Sequence, residues 1–422
     1  MLDIKFIREN PELVRKASRD KNDPADVDKI LELDKKRREL IVDAETLRAE
    51  QNKASQEISR VKQAGGDVSQ AVAAMKEVAE RYGKLSGQVK EAEDEMNGLI
   101  IKVPNIPHPS VPVGPDEEHN VTMREWGEKP KFDFKPASHW ELGETLDMLD
   151  LPRGAKTGGS GFYVLRGRGA RLERALVNMM LDYHINKFGF TEIAPPFLAR
   201  PEVMTGTGQL PKLADDMYYV ERDDLYLIPT AEVPVTNLHR EEILSGEVLP
   251  LKYVAFTPCF RREAGSAGKD TRGILRVHQF NKVEMVTIVR PENSYEVLEQ
   301  LTCQAEGVLQ LLNLPYRVRL LATGDLSFAA AKCYDLEVYS AGVDKYLEVS
   351  SVSNFEDFQA RRMNLRFRDE GEKPRYPHTL NGSGLALPRL MIALMENNQN
   401  EKGQVIIPEA LRPYLDGLDI IT

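Results

Sequence analysis

A cluster of cationic side chains lies in residues 260–280, FRREAGSAGKDTRGILRVHQF, although the chain as a whole has a formal net charge of -10. Its members are Arg261, Arg262, Lys269, Arg272 and Arg276. Arginine presents a planar fork of N–H donors that grips the paired oxygens of a phosphate or a carboxylate. The segment therefore predicts a site for an anionic substrate, and a solvated basic loop beside an acidic surface is the simpler alternative.

The two common nucleotide-binding loops do not account for this cluster. The sequence has no GxxxxGK(S/T) motif, and Gly265, Gly268 and Gly273 do not connect a strand to a helix as a GxGxxG loop requires. The segment instead joins two β-rich runs, KYVAFTPCFRRE and ILRVHQFNKVEMVTIV. Two strands linked by a long basic loop can present several guanidinium groups to one concave face.

The elements around this segment predict an α+β domain rather than a doubly wound one. Helical patterns such as ARLERALVNMMLDYHINKF mix with short β-rich runs such as LYLIPT and YRVRLLA, and the lack of strict alternation favours a mainly antiparallel sheet. A proline-rich stretch, PNIPHPSVPVGPDEEHN, follows Val103 and bars a helix there. We therefore predict two domains, residues 1–105 and residues 106–422.

The first domain carries the heptad pattern of a coiled coil. The seam positions are Ile30, Leu33, Leu40, Ala44, Leu47, Ala54, Ile58 and Val61, then Met75, Val78, Tyr82, Leu85, Val89, Ala92, Met96, Leu99 and Val103. Gly65, Gly66 and Asp67 predict a turn and Ser69 a helix cap, so the segment should fold as an antiparallel hairpin. Helices of about 35 to 40 residues reach about 55 Å. A dimerisation element or a spacer is the simplest use of such an arm.

Composition limits the class of protein. With 41% hydrophobic and 29% charged residues the chain has the composition of a globular protein, and its three separated cysteines indicate neither a disulfide framework nor a CxxC motif. No HxH or HExxH spacing supports zinc, and no apolar run reaches the ~18 residues of a membrane span. We expect a cytoplasmic protein. A pI near 5.5 argues against binding nucleic acid through bulk charge and leaves local recognition open.

The basic segment resembles motif 2 of the class II aminoacyl-tRNA synthetases, whose FRxE core is here Phe260 to Glu263. Residues 188–198, FGFTEIAPPFL, look like motif 1, in which a helix end runs into a strand. Residues 381–397, NGSGLALPRLMIALMEN, look like motif 3, a glycine-bearing strand that feeds a helix with Arg389 in its first turn. The motifs occur in the family's order.

The resemblance is closer still to the bacterial-type seryl-tRNA synthetases and extends over essentially the whole chain. The matching segments are TGTGQLPK (205–212), LIPTAEVPVTN (227–237), REAGSAGKDTRGILRVHQFNKVEM (262–285), AAAKCYDLEV (329–338), EVSSVSNFEDFQARR (348–362) and LNGSGLA (380–386). It implies a class II antiparallel-sheet catalytic domain with an N-terminal coiled-coil arm. It also implies a ligase that joins L-serine to ATP, releases pyrophosphate and passes the seryl group to tRNA(Ser), and to tRNA(Sec) where the host has one.

The resemblance places the nucleotide in motifs 2 and 3. It implies that Arg261 grips the α-phosphate and carboxylate region, that Glu263 reads the adenine amino group, and that Arg389 holds the far end of the triphosphate. Phe280 would stack on adenine beside Arg276. The implied ATP-binding set is Arg261, Arg262, Glu263, Arg276, Phe280, Glu348, Val349, Ser350, Ser351 and Arg389. The implied catalytic residues are Arg261, Glu348 and Arg389.

The resemblance also implies a metal ion and a serine pocket. Mg²⁺ prefers oxygen ligands and keeps several waters, and Glu348 and Ser351 fit that need beside a triphosphate. The implied serine-binding residues are Thr230, Ala231, Glu232, Glu284, Asn381 and Ser383. A pocket that hydrogen-bonds the serine hydroxyl rejects alanine strongly, because its own polar groups would otherwise stay unpaired. Threonine must be excluded by size, which is the weaker filter.

The macromolecular partners follow from the same resemblance. Members of the family use the helical hairpin to hold the long variable arm of their tRNA, usually across a homodimer. RNA backbone and shape can be recognised by a module of mixed charge. The glycine-rich middle of the basic segment, with Lys269 and Arg272, is expected to meet the acceptor end of the tRNA.

Three positions depart from the family pattern. Pro388 precedes the motif 3 arginine, and proline is tolerated in the first helical turn, so we expect it to start the helix without displacing Arg389. Val352 and Cys333 occupy positions where cysteine and hydroxyl residues are common, and we expect Cys333 to be a small buried residue. Two other functions stay open, namely a paralogue that charges a carrier protein and a catalytically inactive RNA-binding or regulatory protein.

Overall fold

The computed structural model describes residues 1–264 and 272–422, which form two compact units, Met1–Pro104 and Asn105–Thr422. Lys269 and the glycine-rich middle of the basic segment lie outside the described residues. Asn105 is already anchored in the second unit, because its side-chain amide donates to the carbonyl oxygens of Ala329 and Phe355 at 2.9 Å each. No helix in the described part of the chain is long and apolar enough to cross a membrane.

The first unit is helical, and a long hairpin makes up most of it. Its helices are α1 (Ile4–Glu9), α2 (Pro11–Asp20), α3 (Val27–Gln63) and α4 (Ser69–Ile100). Every predicted seam position is buried or half-buried, and burial is deepest near the base of the hairpin, at residues such as Ile30, Leu33 and Met96. The predicted antiparallel hairpin is therefore confirmed, with helices of 37 and 32 residues.

The predicted cap of α4 is wrong. Ser69 is the first residue of the helix, and its side chain does not cap it. The Asp67 carboxylate takes that role, because it accepts a hydrogen bond from the Ser69 amide at 2.9 Å. A carboxylate is favoured at a helix N-terminus by the positive end of the helix dipole, and the Ser69 hydroxyl donates to the same carboxylate.

A buried carboxylate fastens the base of the hairpin. Asp34 is fully buried on α3 and pairs with Arg8 at 2.9 Å, Arg38 at 3.1 Å and Arg37 at 3.4 Å. Burial alone would raise the pKa of the Asp34 carboxyl, but the hydrogen bond and charge of Arg8, with the other arginines, hold it below its usual value. These arginines therefore serve the fold of this unit.

The second unit is built around a mainly antiparallel sheet. Its strands are β1 (Val121–Trp126), β2 (Leu149–Asp150), β3 (Val164–Leu165), β4 (Thr191–Glu192), β5 (Leu198–Ala199), β6 (Tyr219–Val220), β7 (Leu225–Leu227), β8 (Ile243–Ser245), β9 (Leu251–Phe260), β10 (Gln279–Val289), β11 (Tyr316–Leu320), β12 (Lys332–Ser340), β13 (Lys345–Asn354), β14 (Arg366–Arg368), β15 (His378–Ala386), β16 (Val405–Ile406) and β17 (Ile420–Ile421). The order in the main sheet is β1-β11-β12-β13-β15-β10-β9-β4, and within the described ranges only the β4–β9 pair of this sheet is parallel. The α+β prediction is confirmed.

Helices cover the sheet. They are α5 (His139–Thr145), α6 (Leu151–Gly158), α7 (Gly167–Phe188), α8 (Pro201–Thr207), α9 (Glu232–Thr236), α10 (Ser294–Leu311), α11 (Phe358–Met363) and α12 (Leu387–Asn397). Residues of α7, α10 and α12 share one apolar cluster with the sheet, including Leu176, Leu298 and Leu390. Each of these is fully buried, so burial of apolar surface fixes the sheet against these helices.

The three motif regions have the predicted connections. Helix α7 ends at Phe188, Gly189 takes the left-handed conformation at φ +69°, and the chain runs into β4. Strands β9 and β10 pair from Gln279 opposite Phe260 to Ile288 opposite Leu251. Strand β15 feeds α12, whose first turn contains Pro388 without displacing Arg389, as expected.

The strand after the basic loop is shorter than predicted. The run 274–289 was expected to be one strand, but β10 begins only at Gln279. The Ile274 amide donates instead to Nε2 of His139 at 3.2 Å, and the His278 amide donates to the Gly161 carbonyl at 3.0 Å. These long-range bonds occupy backbone N–H groups that would otherwise pair with a neighbouring strand. The segment therefore stays irregular.

Candidate active site

A cavity of about 600 Å³ in the second unit is bounded by β10, β13, β15 and the residues on either side of the basic loop. It brings together residues that are far apart in sequence. The predicted site residues that line it are Thr230, Glu232, Arg261, Glu263, Arg276, Phe280, Glu348, Val349, Ser351, Asn381, Ser383 and Arg389. A single concave surface therefore joins motif 2, motif 3 and the segment around Glu348.

The remaining predicted residues do not line the cavity. Glu284 is 1% exposed and lies one layer below the surface, where Asn381 reaches it. Ala231 and Ser350 are also buried, and the Ser350 hydroxyl donates to the Ser383 carbonyl at 2.7 Å. Arg262 is exposed, and its backbone amide bonds to the Asp216 carbonyl at 2.8 Å.

Several cationic side chains line the cavity, among them Arg261 and Arg276. The Arg261 guanidinium lies 5.2 Å from the centre of the Phe280 ring, and its Nε donates to the Pro229 carbonyl at 3.4 Å. Arg276 pairs with Glu263 at 3.5 Å, and Glu263 sits at φ +51°. Arg276 precedes β10 and is not on the strand where it was expected. These contacts hold the guanidinium groups in fixed orientations beside an aromatic face, an arrangement that suits a nucleotide.

Arg389 joins motif 3 to the segment around Glu348. Its Nη1 donates to the Glu348 carbonyl at 2.8 Å and lies 3.5 Å from the Glu348 carboxylate. Its Nε donates to the Leu275 carbonyl at 3.4 Å. Through Arg389 the base of the basic loop, β13 and α12 are therefore held together.

The residues near Glu348 offer oxygen ligands. The Ser351 hydroxyl oxygen lies 2.6 Å from an Asp335 oxygen, to which it donates, and 3.2 Å from a Glu348 oxygen, so two carboxyl groups and one hydroxyl converge. Burial, and then the Glu348 charge, raise the pKa of the Asp335 carboxyl well above its usual value. Sequence reasoning did not single out Asp335, although it lies inside the AAAKCYDLEV segment and pairs with Ser351 across β12 and β13.

The donor set near Glu348 fits Mg²⁺ in its chemistry. All three groups are oxygen donors, which this cation prefers over nitrogen and sulfur. Within residues 1–264 and 272–422, no group of three or more His, Cys, Asp or Glu side chains is arranged to hold a metal ion. A cation bound by Glu348 and Ser351 would therefore need further oxygens, which a triphosphate and water supply.

Two buried carboxylates lie close together at the cavity, with Glu232 in its lining and Glu284 directly beneath the lining. We refer to Thr230, Glu232, Glu284, Asn381 and Ser383 as the two-carboxylate pocket. The amide nitrogen of Asn381 lies 2.9 Å from a Glu232 oxygen and 3.1 Å from a Glu284 oxygen, so it bridges the two carboxylates. The Ser383 hydroxyl donates to Glu284 at 3.4 Å. This pocket has acceptors for a small cationic or hydroxyl-bearing group.

The charge of Glu232 is set by its surroundings. Glu232 is 6% exposed, and burial, followed by the charge of Glu284, raises its pKa to about 7. A hydrogen bond from Gln359 and the charges of Lys282 and Arg261 oppose this rise. Glu232 is therefore a carboxyl group that changes its charge near neutral pH.

Two supporting side chains were missed by sequence reasoning. Gln359 on α11 is fully buried and donates to Glu232 at 2.7 Å, while its carbonyl oxygen accepts from Thr379 at 2.7 Å. Lys282 pairs with Glu284 and donates to the Thr230 hydroxyl at 2.9 Å. Lys282 could have been found from its place two residues before Glu284, because alternate strand residues share a face. Gln359 offered no such local signal.

The atypical positions near the cavity are accounted for by packing. Cys333 is 4% exposed, as expected for a small buried residue, and burial raises the pKa of its thiol well above the usual value. Val352 is fully buried opposite Gly382, where a Cβ on the glycine would lie 3.2 Å from a Val352 methyl group. Valine is larger than the cysteine common at this position, and it fits because the residue opposite it on β15 is glycine.

Comparisons with known proteins agree with this architecture. Residues 1–107 match the family profile described as "Seryl-tRNA synthetase N-terminal domain". Residues 218–398 match the profile "tRNA synthetase class II core domain (G, H, P, S and T)". The first profile covers the helical hairpin, and the second covers the strands that line the cavity.

Full-length relatives extend the match over the whole chain. A serine–tRNA ligase from Carboxydothermus hydrogenoformans is 52% identical over 422 residues, which covers 100% of this chain and 99% of the relative. One from Geobacillus sp. (strain WCH70) is 55% identical over 423 residues, with 100% of both chains covered. The crystal structure of seryl-tRNA synthetase from Pyrococcus horikoshii complexed with ATP has a TM-score of 0.95 at 43% identity, with 100% of this chain and 99% of that one covered. Sequence identity of this extent along both units indicates common descent. The chain therefore belongs to the seryl-tRNA synthetase family.

Proposed function

We propose that this protein activates L-serine with ATP, forming seryl-adenylate and pyrophosphate, and transfers the seryl group to tRNA(Ser). The observation that carries this proposal is one cavity that contains two kinds of binding group. Arg261 and Arg389 are suited to phosphate oxygens, and the two-carboxylate pocket is suited to a small polar cation. Attack of a bound amino-acid carboxylate on a bound α-phosphate requires both kinds of group in one site.

The activation step needs no covalent protein nucleophile. The serine carboxylate attacks the α-phosphorus in line, pyrophosphate leaves, and negative charge builds on the oxygens between them. Arg261 is proposed to bind the α-phosphate and carboxylate region, and Arg389 the far end of the triphosphate. Glu263 would read the adenine amino group, and Phe280 would stack on the base. Charge neutralisation and alignment are then the main catalytic contributions.

Mg²⁺ is proposed to bind with ATP at Glu348 and Ser351. Bound there, the ion supplies positive charge that offsets the charge of the triphosphate. Glu348 also faces Arg389 at 3.5 Å, so the same carboxylate holds the guanidinium in place. Exchange activity that survives complete removal of divalent cations would contradict this assignment.

Serine is proposed to occupy the two-carboxylate pocket. Glu232 lines the cavity and can accept from the ammonium group, and Ser383 can donate or accept. Glu284 lies beneath the lining beside Asn381 and Ser383, and it is proposed to be reached by the substrate when serine enters. The Thr230 hydroxyl is held by two donors, Lys282 Nζ at 2.9 Å and the Glu232 amide at 3.2 Å, so its orientation is fixed. A fixed, hydrogen-bonding pocket favours a substrate that satisfies all of its groups.

The helical hairpin is proposed to bind the long variable arm of tRNA(Ser), and of tRNA(Sec) where one is present. Charging assays with each tRNA test this directly. We further propose a cytoplasmic homodimer, in which the arm serves the partner's active site. Sedimentation at the 47.6 kDa mass of one chain would overturn the dimer, and recovery of the protein with membranes would overturn the localisation.

Exchange of labelled pyrophosphate into ATP is expected with serine and to fall by about 10⁴-fold in kcat/KM with alanine, which leaves the hydroxyl-binding groups unpaired. Glycine should behave like alanine. A chain that exchanges with none of the amino acids, yet still binds tRNA(Ser), would support the inactive RNA-binding alternative and contradict the proposal.

Binding of serine is expected to depend on pH through Glu232. Burial raises the pKa of Glu232 from 4.5 to about 7, so the empty pocket favours the protonated form below that value. The serine ammonium favours the ionised form, and the KM for serine should therefore fall as pH rises through about 7, by up to about tenfold per unit below it. The raised pKa also affects stability, because the folded protein binds the Glu232 proton more tightly than the unfolded chain does. This contribution to the free energy of unfolding is fully present below pH 4.5 and is lost as pH rises to about 7.

Exchange kinetics at a series of pH values from about 5.5 to about 8.5 measure this dependence on either side of the Glu232 pKa. Calorimetry of serine binding in two buffers with different ionisation enthalpies should also detect release of a proton below neutral pH. A serine KM that is flat across this range would show that Glu232 does not titrate in the binding step.

A further inference from the structure

Lys282 is a buried cation beside the two-carboxylate pocket. Its residue is 6% exposed, and it precedes Glu284 by two positions on β10. Lysine is rarely buried this deeply unless a charge partner compensates for the loss of water. Lys282 has that partner in Glu284, with which it forms an ion pair, and it also donates to the Thr230 hydroxyl at 2.9 Å.

The two carboxylates of the pocket have unequal partners. Glu284 contacts the Lys282 ammonium directly, in addition to Asn381 and Ser383. Glu232 receives hydrogen bonds from two neutral amides, Gln359 at 2.7 Å and Asn381 at 2.9 Å. Because the Asn381 amide bridges both carboxylates, a change in the charge or orientation of one is transmitted to the other.

We propose that Lys282 is a positioning residue for serine, which holds the Glu284 carboxylate through a buried ion pair and orients the Thr230 hydroxyl through a hydrogen bond. This inference rests on the proposed function and deepens it. It gives the two carboxylates of the pocket different partners, because Glu284 contacts a buried cation and Glu232 is held by two neutral amides. Lys282 itself lines the cavity, and it acts through Glu284 and Thr230 without taking part in bond making.

The charged groups around Glu232 give the direction of the effect. They are Glu284 and Lys282 on β10, and Arg261 directly after β9. Glu284 raises the pKa of Glu232, while Lys282 and Arg261 lower it. Loss of the Lys282 charge therefore moves the pKa of Glu232 further above about 7 and weakens binding of the serine ammonium near neutral pH.

The test is Lys282→Met in the full chain, with pyrophosphate exchange measured while serine and ATP are varied separately. The KM for serine is expected to rise by at least about 30-fold, because Glu284 loses its buried charge partner, while the KM for ATP changes by less than about threefold. The pH midpoint of the serine KM should move upward by on the order of one unit. A purely structural lysine would change both KM values together or leave both unchanged, and either result overturns the proposal.

Lys332→Met is the matched control. Lys332 is a half-buried strand lysine on β12 whose Nζ lies 4.9 Å from the centre of the Tyr334 ring, and it does not line the cavity. Its substitution by methionine is expected to leave the serine KM and its pH midpoint unchanged. An equal rise in serine KM in this variant would show that loss of a half-buried strand lysine away from the pocket has the same effect, and would overturn the special role of Lys282.

Lys282→Arg keeps the proposal testable if the methionine variant does not fold, as judged by circular dichroism. Arginine retains the cation, so the pH midpoint and the ATP KM should stay as in the wild type while the serine KM rises by about tenfold or less. A moved midpoint, or serine and ATP KM values that rise together, contradicts the proposal. Absence of serine-dependent exchange in the wild type would refute the proposed function itself, which is a distinguishable result.

Discussion

Shortening the helical hairpin is expected to leave serine-dependent pyrophosphate exchange within about twofold of the full chain and to lower charging of tRNA(Ser) by at least about 10³-fold. Exchange uses only the cavity of the second unit, whose lining residues all follow residue 200. Charging also needs the tRNA to be held, and the proposed holding surface is on α3 and α4. The two reactions should therefore separate.

The hairpin offers a cut that preserves its base. The Arg37–Glu93 ion pair at 3.2 Å and the Ser55–Met75 contact at 3.5 Å fix which residues face each other, and by this register Ile41 faces Val89. Residues 43–89 can be replaced by the chain's own turn, residues 64–68, which removes residues 43–63 from α3 and residues 69–89 from α4, the same whole number of heptads from each helix. The Asp34 cluster and the buried residues near the base are then retained.

Removal of one heptad from each helix, residues 51–57 and 73–79, is the matched control. It keeps the apolar seam in register and shortens the arm by about two turns on each side. Charging in this variant should lie between those of the full chain and the deeper truncation. Charging at the full rate by the deeper truncation would show that the arm is a spacer or a dimerisation element, and would contradict the proposed tRNA contact.

The features predicted correctly from sequence are those set by local patterns. Heptad spacing specifies the α3–α4 hairpin, because each seam residue is placed by its own helix. The pairing of β9 with β10 and the passage from β15 into α12 are likewise local, since turn and strand residues adjacent in sequence determine them. Of these elements, β10, β15 and α12 contribute Phe280, Asn381, Ser383 and Arg389 to the cavity lining, and most of the lining comes from other segments.

The error at the α4 cap is local, because Asp67 is two positions from Ser69, whereas the other differences arise where a distant partner decides the outcome. The run 274–278 has a strand-like composition, yet His139, about 135 positions away, accepts the Ile274 amide and ends the ladder early. Gln359 reaches Glu232 across a similar separation of 127 positions. No periodicity in a single sequence encodes such contacts, so supporting residues of a site are harder to predict than the residues that line it.

Substitution of Arg261 by methionine is expected to lower kcat for pyrophosphate exchange by about 10³-fold, with a much smaller change in the KM for serine. Its guanidinium is held by the Pro229 carbonyl at 3.4 Å and by the face of Phe280 at 5.2 Å, so it is oriented before substrate binds. Preorganised charge contributes most where new charge develops, which is at the α-phosphate during attack.

Arg261→Lys separates charge from geometry. Lysine keeps the positive charge but loses the planar fork and the aromatic contact, so kcat is expected to fall by about 10²-fold. Measurement of adenylate formation in a single turnover would show whether the loss lies in the chemical step. A loss confined to the ATP KM would instead show that Arg261 binds ground-state nucleotide and does not act in the transition state.

Arg262→Met is the informative comparison, because Arg262 is the adjacent arginine and its side chain is exposed outside the cavity lining. Family resemblance groups it with the ATP-binding residues, whereas its position in the fold predicts a change of no more than about threefold. Equal losses at Arg261 and Arg262 would mean that both guanidinium groups reach the nucleotide when ATP is bound. A larger loss at Arg261 than at Arg262 would mean that Arg261 is the guanidinium that acts at the α-phosphate. Its contacts with Pro229 and Phe280 would then account for the difference.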